Sequence, residues 1–168
     1  MENIELPYFG KIDFSQLKEY YSTEVVFNGN LLAIDINFEH NNIDKERAVY
    51  IRDFLDRISA FDIHNKVDIE SDFDAEGEAA DYINFYFDEL EEELEEFIDY
   101  DNNDISEQEQ LLQKLRLIRV GLYPNRNFDA EYYSVFDYSI DIDGEPCNQL
   151  LVVKRDINGK LVLITWES

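Results

Sequence analysis

Cysteine and histidine are scarce in this sequence, and their scarcity excludes several kinds of site. Cys147 is the single cysteine, so the chain cannot form an internal disulfide bond or a zinc site built from several thiolates. No basic residue lies within six positions of Cys147 to favour a reactive thiolate. The two histidines, His40 and His64, have no cysteine neighbour and no spacing typical of metal ligands. We therefore expect surface histidines, an unreactive cysteine, no metal site and no cofactor.

Long apolar runs and catalytic motifs are missing as well. No stretch approaches the roughly 20 consecutive apolar residues that a membrane span needs, and the acidic N-terminus lacks the apolar run of a secretory signal. The sequence has no Gly-x-Ser-x-Gly nucleophile elbow, no phosphate-binding loop and no Gly-x-Gly-x-x-Gly fingerprint. These absences predict a cytoplasmic protein that is not an enzyme. A hydrolase with an unrecognised site is the less favoured alternative.

Basic residues are the third scarcity. Lysine and arginine number 14 against 39 aspartates and glutamates, which gives a net charge of −25. Phosphates and anionic lipids repel such a chain, so we expect it to bind neither nucleic acid nor a membrane. A basic protein is the partner that this charge favours. The alternative is that the charge serves solubility only and has no docking role.

Apolar residues are abundant enough to build a core. They form 45% of the 168 residues, and this content argues against disorder in spite of the charge. The length is close to the commonest domain size, and no linker or internal repeat interrupts the chain. We therefore predict a single domain over residues 1–168. The oligomeric state does not follow from the sequence.

The N-terminal part predicts a β-hairpin. Asn28-Gly29 lies between two strand-like runs, and this dipeptide is the preferred two-residue hairpin turn because both of its residues tolerate positive φ. We expect strands near 19–27 and 31–39, paired as Val25 with Leu32, Thr23 with Ile34 and Tyr21 with Ile36. Alternation places Leu32, Ile34, Ile36 and Phe38 on a buried face. The opposite face, which includes Asp35, is polar enough to meet water.

Helical spacing replaces this alternation in the middle of the chain. Apolar residues recur at intervals of three and four after Asp44, a plausible N-cap, and predict a helix near 44–60. Residues 64–73 are compatible with a short second helix, and Gly77 interrupts the pattern. A further apolar stripe predicts a helix near 78–98. Ser106 and Glu109 form a capping box that begins a last short helix.

The C-terminal part returns to strands. Alternating apolar residues appear around Val120 and Phe136, and Asn158-Gly159 predicts a second hairpin of the same kind. Two strands, then helices, then about four strands predict an α+β fold. The sheet is expected to be antiparallel, formed by the N-terminal hairpin and a C-terminal meander, with a central helical layer on one face. The predicted core includes Leu32, Ile34, Ile36, Phe38, Val120, Phe136, Val153 and Ile164.

Negative charge is concentrated in the helical middle. Between Val67 and Gln113 there are 19 carboxylates and no lysine or arginine. Within the predicted helix near 78–98, the outward face carries Asp88, Glu92, Glu95, Glu96 and Asp99. We predict that these five residues bind a basic protein, such as an enzyme that acts on nucleic acid, a toxin or a basic chaperone client. Mimicry of nucleic acid by rows of carboxylates is a narrower version. The alternative is an acidic helix face in contact with solvent only.

Two acidic segments invite comparison with calcium sites. Residues 72–77 match the start of a calcium-binding loop, with acids at positions one, three and five and glycine at six. Position twelve, which should be glutamate, is Ile83. Residues 99–104 lack both the glycine and the terminal acid. We interpret both segments as acidic turns, and weak divalent-cation binding at either stays open.

The sequence resembles a family of uncharacterised acidic bacterial proteins, a domain of unknown function. The resemblance covers nearly the whole chain and rests on residues 6–10, 19–21, 26–29, 34–39, 118–124, 136–140 and 150–168. It implies a bacterial cytoplasmic origin and carries over no catalytic residue. Small acidic proteins of this kind include immunity proteins that neutralise toxins, and this analogy of class suggests an immunity-like role.

Overall fold

The fold is α+β, as predicted. The computed structural model describes residues 3–90, 92–125 and 132–168, so Glu91 lies outside the described residues. The helices are α1 Lys45–Leu55, α2 Ile58–Asp74, α3 Glu78–Glu89 and α4 Glu107–Leu112, with a 3₁₀ turn at Glu93–Glu96. The strands are β1 Ile4–Leu6, β2 Gly10–Ile12, β3 Tyr20–Phe27, β4 Asn30–Asn37, β5 Arg116–Leu122, β6 Ser134–Ser139, β7 Asp141–Ile142, β8 Glu145–Pro146, β9 Leu150–Arg155 and β10 Leu161–Glu167.

Six strands form the main sheet in the order β10-β9-β6-β5-β4-β3. The expectation of a purely antiparallel sheet is wrong at one place, because β4 and β5 run parallel. The chain leaves β4, passes through all the helices and returns beside β4 in the same direction. Parallel neighbours need such a long crossover, and here the helical layer supplies it. The sheet is therefore mixed.

The N-terminal hairpin has the predicted register. Val25 pairs with Leu32, Thr23 with Ile34 and Tyr21 with Ile36. Asn28 and Gly29 both have positive φ, 50° and 83°, as this two-residue turn requires. The turn at Asn158-Gly159 differs, because only Gly159 has positive φ and the Asp156 N–H bonds the Lys160 carbonyl. This hairpin loop is longer than predicted.

The core lies between the sheet and the helices. All eight predicted core residues are buried, none of them more than 8% exposed. Phe54 of α1 and Phe61 of α2 stack on each other, with ring centroids 4.4 Å apart, and both contact Phe136 of β6. The helices thus cover the face of the sheet that alternation marks as apolar. Val135 and Val152, which are also buried, belong to the opposite face.

The predicted helix near 44–60 is two helices. α1 ends at Leu55, and the Asp56 and Arg57 N–H groups bond the carbonyls of Arg52 and Phe54 in a tight turn. α2 then begins at Ile58 and absorbs the region expected to form a short separate helix. The apolar spacing continues unbroken through the turn, so periodicity alone does not reveal it. Both helices pack on the sheet, α1 through Phe54 and α2 through Phe61.

The predicted helix near 78–98 is also wrong in its second half. α3 ends at Glu89, and Leu90 leaves helical geometry with φ −131° and ψ 31°. A short 3₁₀ turn follows, and it buries Leu94 completely. Like charges three and four residues apart destabilise a helix, and no base relieves them here. This repulsion and the burial of Leu94 explain why the helix does not continue.

Candidate functional site

The five carboxylates predicted to bind a partner are all exposed, but they do not share one helix. Asp88 lies in the last turn of α3, and Glu92 precedes the 3₁₀ turn that contains Glu95 and Glu96. Asp99 follows that turn, and its carboxylate accepts the N–H of Asp101 at 3.1 Å. The predicted single acidic face is therefore an irregular acidic surface. Its carboxylates still point into solvent.

Basic residues do not neutralise this surface. In the part of the chain that the structure describes, Arg155 is the only base that pairs with a carboxylate between Val67 and Gln113, and its partner is Asp68. The five predicted carboxylates have no ion pair among these residues. An uncompensated cluster of this kind projects a negative potential beyond the surface and attracts basic molecules.

Some carboxylates of the helical middle accept hydrogen bonds that stabilise the fold instead. The Asp72 carboxylate accepts the Ala79 N–H at 2.7 Å and so caps the start of α3. Glu109 and Ser106 form the predicted capping box of α4, and the hydrogen bond from the Ser106 backbone lowers the pKa of Glu109. Glu78 accepts the N–H of Trp166 at 3.0 Å and ties α3 to β10. These residues are poor choices for probing a partner surface.

Neither acidic segment forms a calcium-type loop. Asp72 and Asp74 lie within α2, so the interpretation of residues 72–77 as an acidic loop is wrong for its first half. In residues 99–104, the Asn102 side chain accepts the N–H of Asp104 at 2.9 Å. Among the described residues, no three histidine, cysteine, aspartate or glutamate side chains are grouped to hold a metal ion.

A cleft of about 320 Å³ separates α2 from α4 in the same layer. Its floor is apolar and consists of Ile69, Phe73, Leu112 and Leu115. Its rim is polar and consists of Lys66, Glu70, Asp74, Glu109 and Gln113. The sequence does not predict this cleft, because the cleft depends on how α4 packs beside α2. Apolar residues on the outer side of α2 were the available signal.

A charged cluster crosses the opposite face of the sheet, and the sequence does not predict it either. Arg119 of β5 donates to both oxygens of Asp35 at 2.7 and 3.0 Å, and to Asp137 at 3.0 Å. Asp35 is only 3% exposed, so the expectation that it meets water is wrong. The Arg119 side chain is 34% exposed. A charged residue in the middle of each of three apolar strands was the signal for this cluster.

The cluster has a structural explanation that needs no ligand. Burial raises the pKa of Asp137, while the hydrogen bond from Arg119 opposes that rise. The Asn37 side chain donates a further hydrogen bond to Asp35 at 2.6 Å. One guanidinium thus satisfies two buried carboxylates and joins β4, β5 and β6.

A second polar network anchors α2 to the sheet from the core side. The Tyr138 hydroxyl donates to Asp62 at 2.8 Å and accepts from Asn65 at 3.0 Å. Arg155 donates to the Asn65 side chain at 2.6 Å, to the Gly159 carbonyl at 2.9 Å, and to Asp68. Every member of this network has a partner, so it holds a helix in place rather than presenting a reactive group.

Two buried tyrosines allow a matched test of this network. Tyr138→Phe leaves Asp62 and Asn65 each short of one hydrogen bond, so we expect the free energy of unfolding to fall by about 2 kcal/mol. Tyr133→Phe removes a buried hydroxyl that has no hydrogen-bond partner among the described residues. That variant is expected to match the wild type or exceed its stability by up to about 1 kcal/mol. Urea denaturation of both variants measures the contrast, and equal losses would contradict it.

The remaining candidate groups are not brought together. His40 and His64 are both exposed, as expected, and they lie after β4 and within α2 respectively. Cys147 is half-buried, with its sulfur 3.7 Å from the side-chain oxygen of Asn148. No hydrogen bond links either histidine to a serine, a cysteine or a carboxylate in the described residues. This arrangement gives no support to the hydrolase alternative.

Comparison of the chain with family models, curated proteins and solved structures finds no match. The resemblance to a bacterial domain of unknown function therefore stays a prediction. Among the described residues, no helix has both the length and the apolar character needed to cross a membrane. The acidic surface and the cleft between α2 and α4 are the features on which a functional proposal can be built.

Proposed function

We propose that this protein is a small non-enzymatic binding or inhibitory protein that uses its acidic helical surface against a basic protein partner. The observation that carries the proposal is the run of 19 carboxylates without a base between Val67 and Gln113. The exposure of Asp88, Glu92, Glu95, Glu96 and Asp99 supports it. A cytoplasmic location and an immunity-like role in a bacterium belong to the same proposal.

Electrostatics gives such a surface a definite behaviour. Opposite charges on two proteins accelerate their encounter and favour one relative orientation. Salt screens this attraction over a Debye length of about 10 Å at 0.1 M ionic strength. Binding through the acidic surface must therefore weaken as salt is added. The surface has no net electrostatic attraction for a neutral partner, and it repels nucleic acid and anionic membranes.

The proposal is tested by pull-down from a bacterial lysate at low salt with two charge-matched variants. The first replaces four carboxylates of the acidic surface: Glu92→Lys, Glu95→Lys, Glu96→Lys and Asp99→Lys. The control makes the same change of charge at four exposed glutamates of the N-terminal part: Glu5→Lys, Glu19→Lys, Glu24→Lys and Glu39→Lys. We expect one discrete basic protein to be retained by the wild type and the control and lost by the first variant.

Two results contradict the proposal. If no protein is retained by the wild type, the charge serves solubility only. If the two variants lose a retained protein equally, the overall net charge matters and the acidic surface does not. Circular dichroism of both variants checks that the fold is intact. All eight positions are exposed, so the substitutions are not expected to disturb the core.

A further inference from the structure

Helix α2 carries apolar residues on its solvent side as well as on its core side. Ile58, Phe61 and Ile69 are buried, whereas Ile63 and Val67 are 64% and 56% exposed. A surface helix normally keeps its outer face polar. Exposed apolar side chains mark an interaction site when they are part of a larger apolar area with a polar rim.

Ile63 and Val67 lie on the same side of α2 as part of the rim of the cleft between α2 and α4. Ile63, Val67, Glu70 and Asp74 recur at intervals of three and four, so they lie along one side of α2. Glu70 and Asp74 form part of the cleft rim, and Phe73 lines its floor. We call Ile63, Val67 and the cleft the α2–α4 face. It combines exposed apolar side chains with an apolar depression.

The charge around this face is negative. Glu70 and Asp74 are exposed and have no ion pair among the described residues. Among the described residues, Lys66 is the one base that lines the rim, and it is paired with Asp62 at 3.2 Å. Its charge is therefore already matched from within the chain. An apolar floor with an uncompensated acidic rim is complementary to a segment that has apolar residues on one side and basic residues beside them.

We infer that the α2–α4 face binds an amphipathic helix of a basic partner protein, with its apolar side chains in the cleft and its lysines or arginines on Glu70 and Asp74. This inference rests on the proposed function and specifies where the partner docks. From Ile63 to Asp74 the face is about 16 Å long, at 1.5 Å per residue. A helix of about three turns matches that length. A second copy of this chain fits poorly, because each copy carries a net charge of −25.

The test uses two fluorescently labelled peptides of about 12 residues, matched to the length of the face. Both contain only leucine and lysine in the same proportions. One places its leucines at helical spacing on one side, and the other has them scrambled. Fluorescence anisotropy at low salt measures the affinity of each peptide for the full chain. We expect the amphipathic peptide to bind at least about tenfold more tightly than the scrambled one, because only it can bury a continuous apolar side.

Two double variants locate the site. Glu70→Lys with Asp74→Lys is expected to lower the affinity for the amphipathic peptide at least about tenfold more than Glu19→Lys with Glu24→Lys, since the change of charge is equal and the two control glutamates lie at the N-terminal hairpin. Ile63→Ser with Val67→Ser is expected to lower the affinity for the amphipathic peptide about tenfold and to leave the affinity for the scrambled peptide unchanged. All six positions are exposed, so each variant should fold.

Each contrary result has a separate meaning. Equal weakening by the two charge variants, or equal binding of the two peptides, overturns this inference and leaves the proposed function standing. Absence of peptide binding to the wild type also overturns the inference, while the pull-down still decides the proposed function. A dimer that forms as concentration rises and disappears in the Ile63→Ser, Val67→Ser variant would assign the face to a second copy, and would overturn the inference too.

Discussion

Arg119→Met is expected to lower the free energy of unfolding by about 3 kcal/mol at neutral pH. The substitution keeps the aliphatic stem but removes the guanidinium that pairs with Asp35 and Asp137. Both carboxylates are buried, so Asp137 would keep its charge without its ion-pair partner in a poorly solvated place, and Asp35 would keep only the hydrogen bond from Asn37. The exposed part of Arg119 keeps the expected loss at the lower end of the range for a broken buried ion pair.

Arg116→Met is the matched control for this prediction. Arg116 lies on the same strand and pairs with Asp141 at 2.8 Å, but Asp141 is 32% exposed and can be hydrated when its partner is lost. We expect that variant to lose about 1 kcal/mol or less. Urea denaturation at neutral pH measures both variants. Equal losses of stability would contradict the prediction, because they would show that the burial of Asp35 and Asp137 does not increase the effect of losing the guanidinium.

The pH dependence of Arg119→Met has a definite sign. Burial raises the pKa of Asp137 in the folded protein, and Arg119 opposes that rise. Without the guanidinium this pKa rises further, so the folded variant binds a proton at a pH where the unfolded chain is still ionised. Stability then increases as the pH falls through that window. The deficit of the variant relative to the wild type is therefore expected to shrink between about pH 7 and pH 4, and a deficit that grows would contradict this account.

Arg155→Met is expected to be at least as damaging, with a loss of about 3–4 kcal/mol. The Arg155 guanidinium donates to the Asn65 side chain and the Gly159 carbonyl. Because the Arg155 side chain is 5% exposed, water cannot readily replace it. The loss comes mainly from these buried acceptors, since Asp68 is 32% exposed and can be hydrated. Removing the guanidinium also removes the hydrogen bonds that link α2 with the loop between β9 and β10.

Lys154→Met is the control for Arg155→Met. Lys154 is the preceding residue, on the other face of the same strand, and it pairs with Glu167, which is 48% exposed. We expect its loss to stay below about 1 kcal/mol. Arg155→Lys should lose less stability than Arg155→Met and more than Lys154→Met. An ammonium keeps the charge but cannot reproduce the planar fork of donors. Thermal and urea denaturation measure all three, and a full rescue by lysine would contradict the role given to the fork.

Local chemistry explains which parts of the fold are predictable from the sequence. The turn at Asn28-Gly29 fixes the register of β3 and β4, because the dipeptide and the alternation of Leu32, Ile34 and Ile36 agree. The capping box at Ser106 and Glu109 is likewise a local pattern that the structure reproduces. In both cases the determining residues are neighbours in the chain.

Features that depend on distant residues were not predictable. The apolar spacing continues unchanged across the turn between α1 and α2 and so does not reveal it. Phe54 before the turn and Phe61 after it both pack on Phe136, which is distant in the sequence. The Arg119 cluster needs β4, β5 and β6 in register. In the sequence, all the helices lie between β4 and β5, although these strands are neighbours in the sheet. The α2–α4 face needs α4 beside α2. Sequence patterns carry no information on these juxtapositions without the tertiary structure.

The acidic surface lies between these two cases. Its composition and exposure were predictable, because five carboxylates with no nearby base have little reason to be buried. Its geometry was not, since α3 ends at Glu89 and the remaining carboxylates follow a 3₁₀ turn. A docking surface needs charge at suitable positions rather than a continuous helix. The proposal of a basic partner therefore survives the correction to the helix.

The most direct test of the proposed function is the salt dependence of the affinity for the protein retained in the pull-down. Isothermal titration calorimetry with the purified partner would measure the dissociation constant at increasing salt for the wild type, the acidic-surface variant and the N-terminal control. We predict that the affinity of the wild type and of the control falls steeply with salt. The variant with lysine at Glu92, Glu95, Glu96 and Asp99 should bind weakly at every salt concentration. A wild-type affinity that is insensitive to salt, or a variant that binds as tightly as the control, would contradict the account.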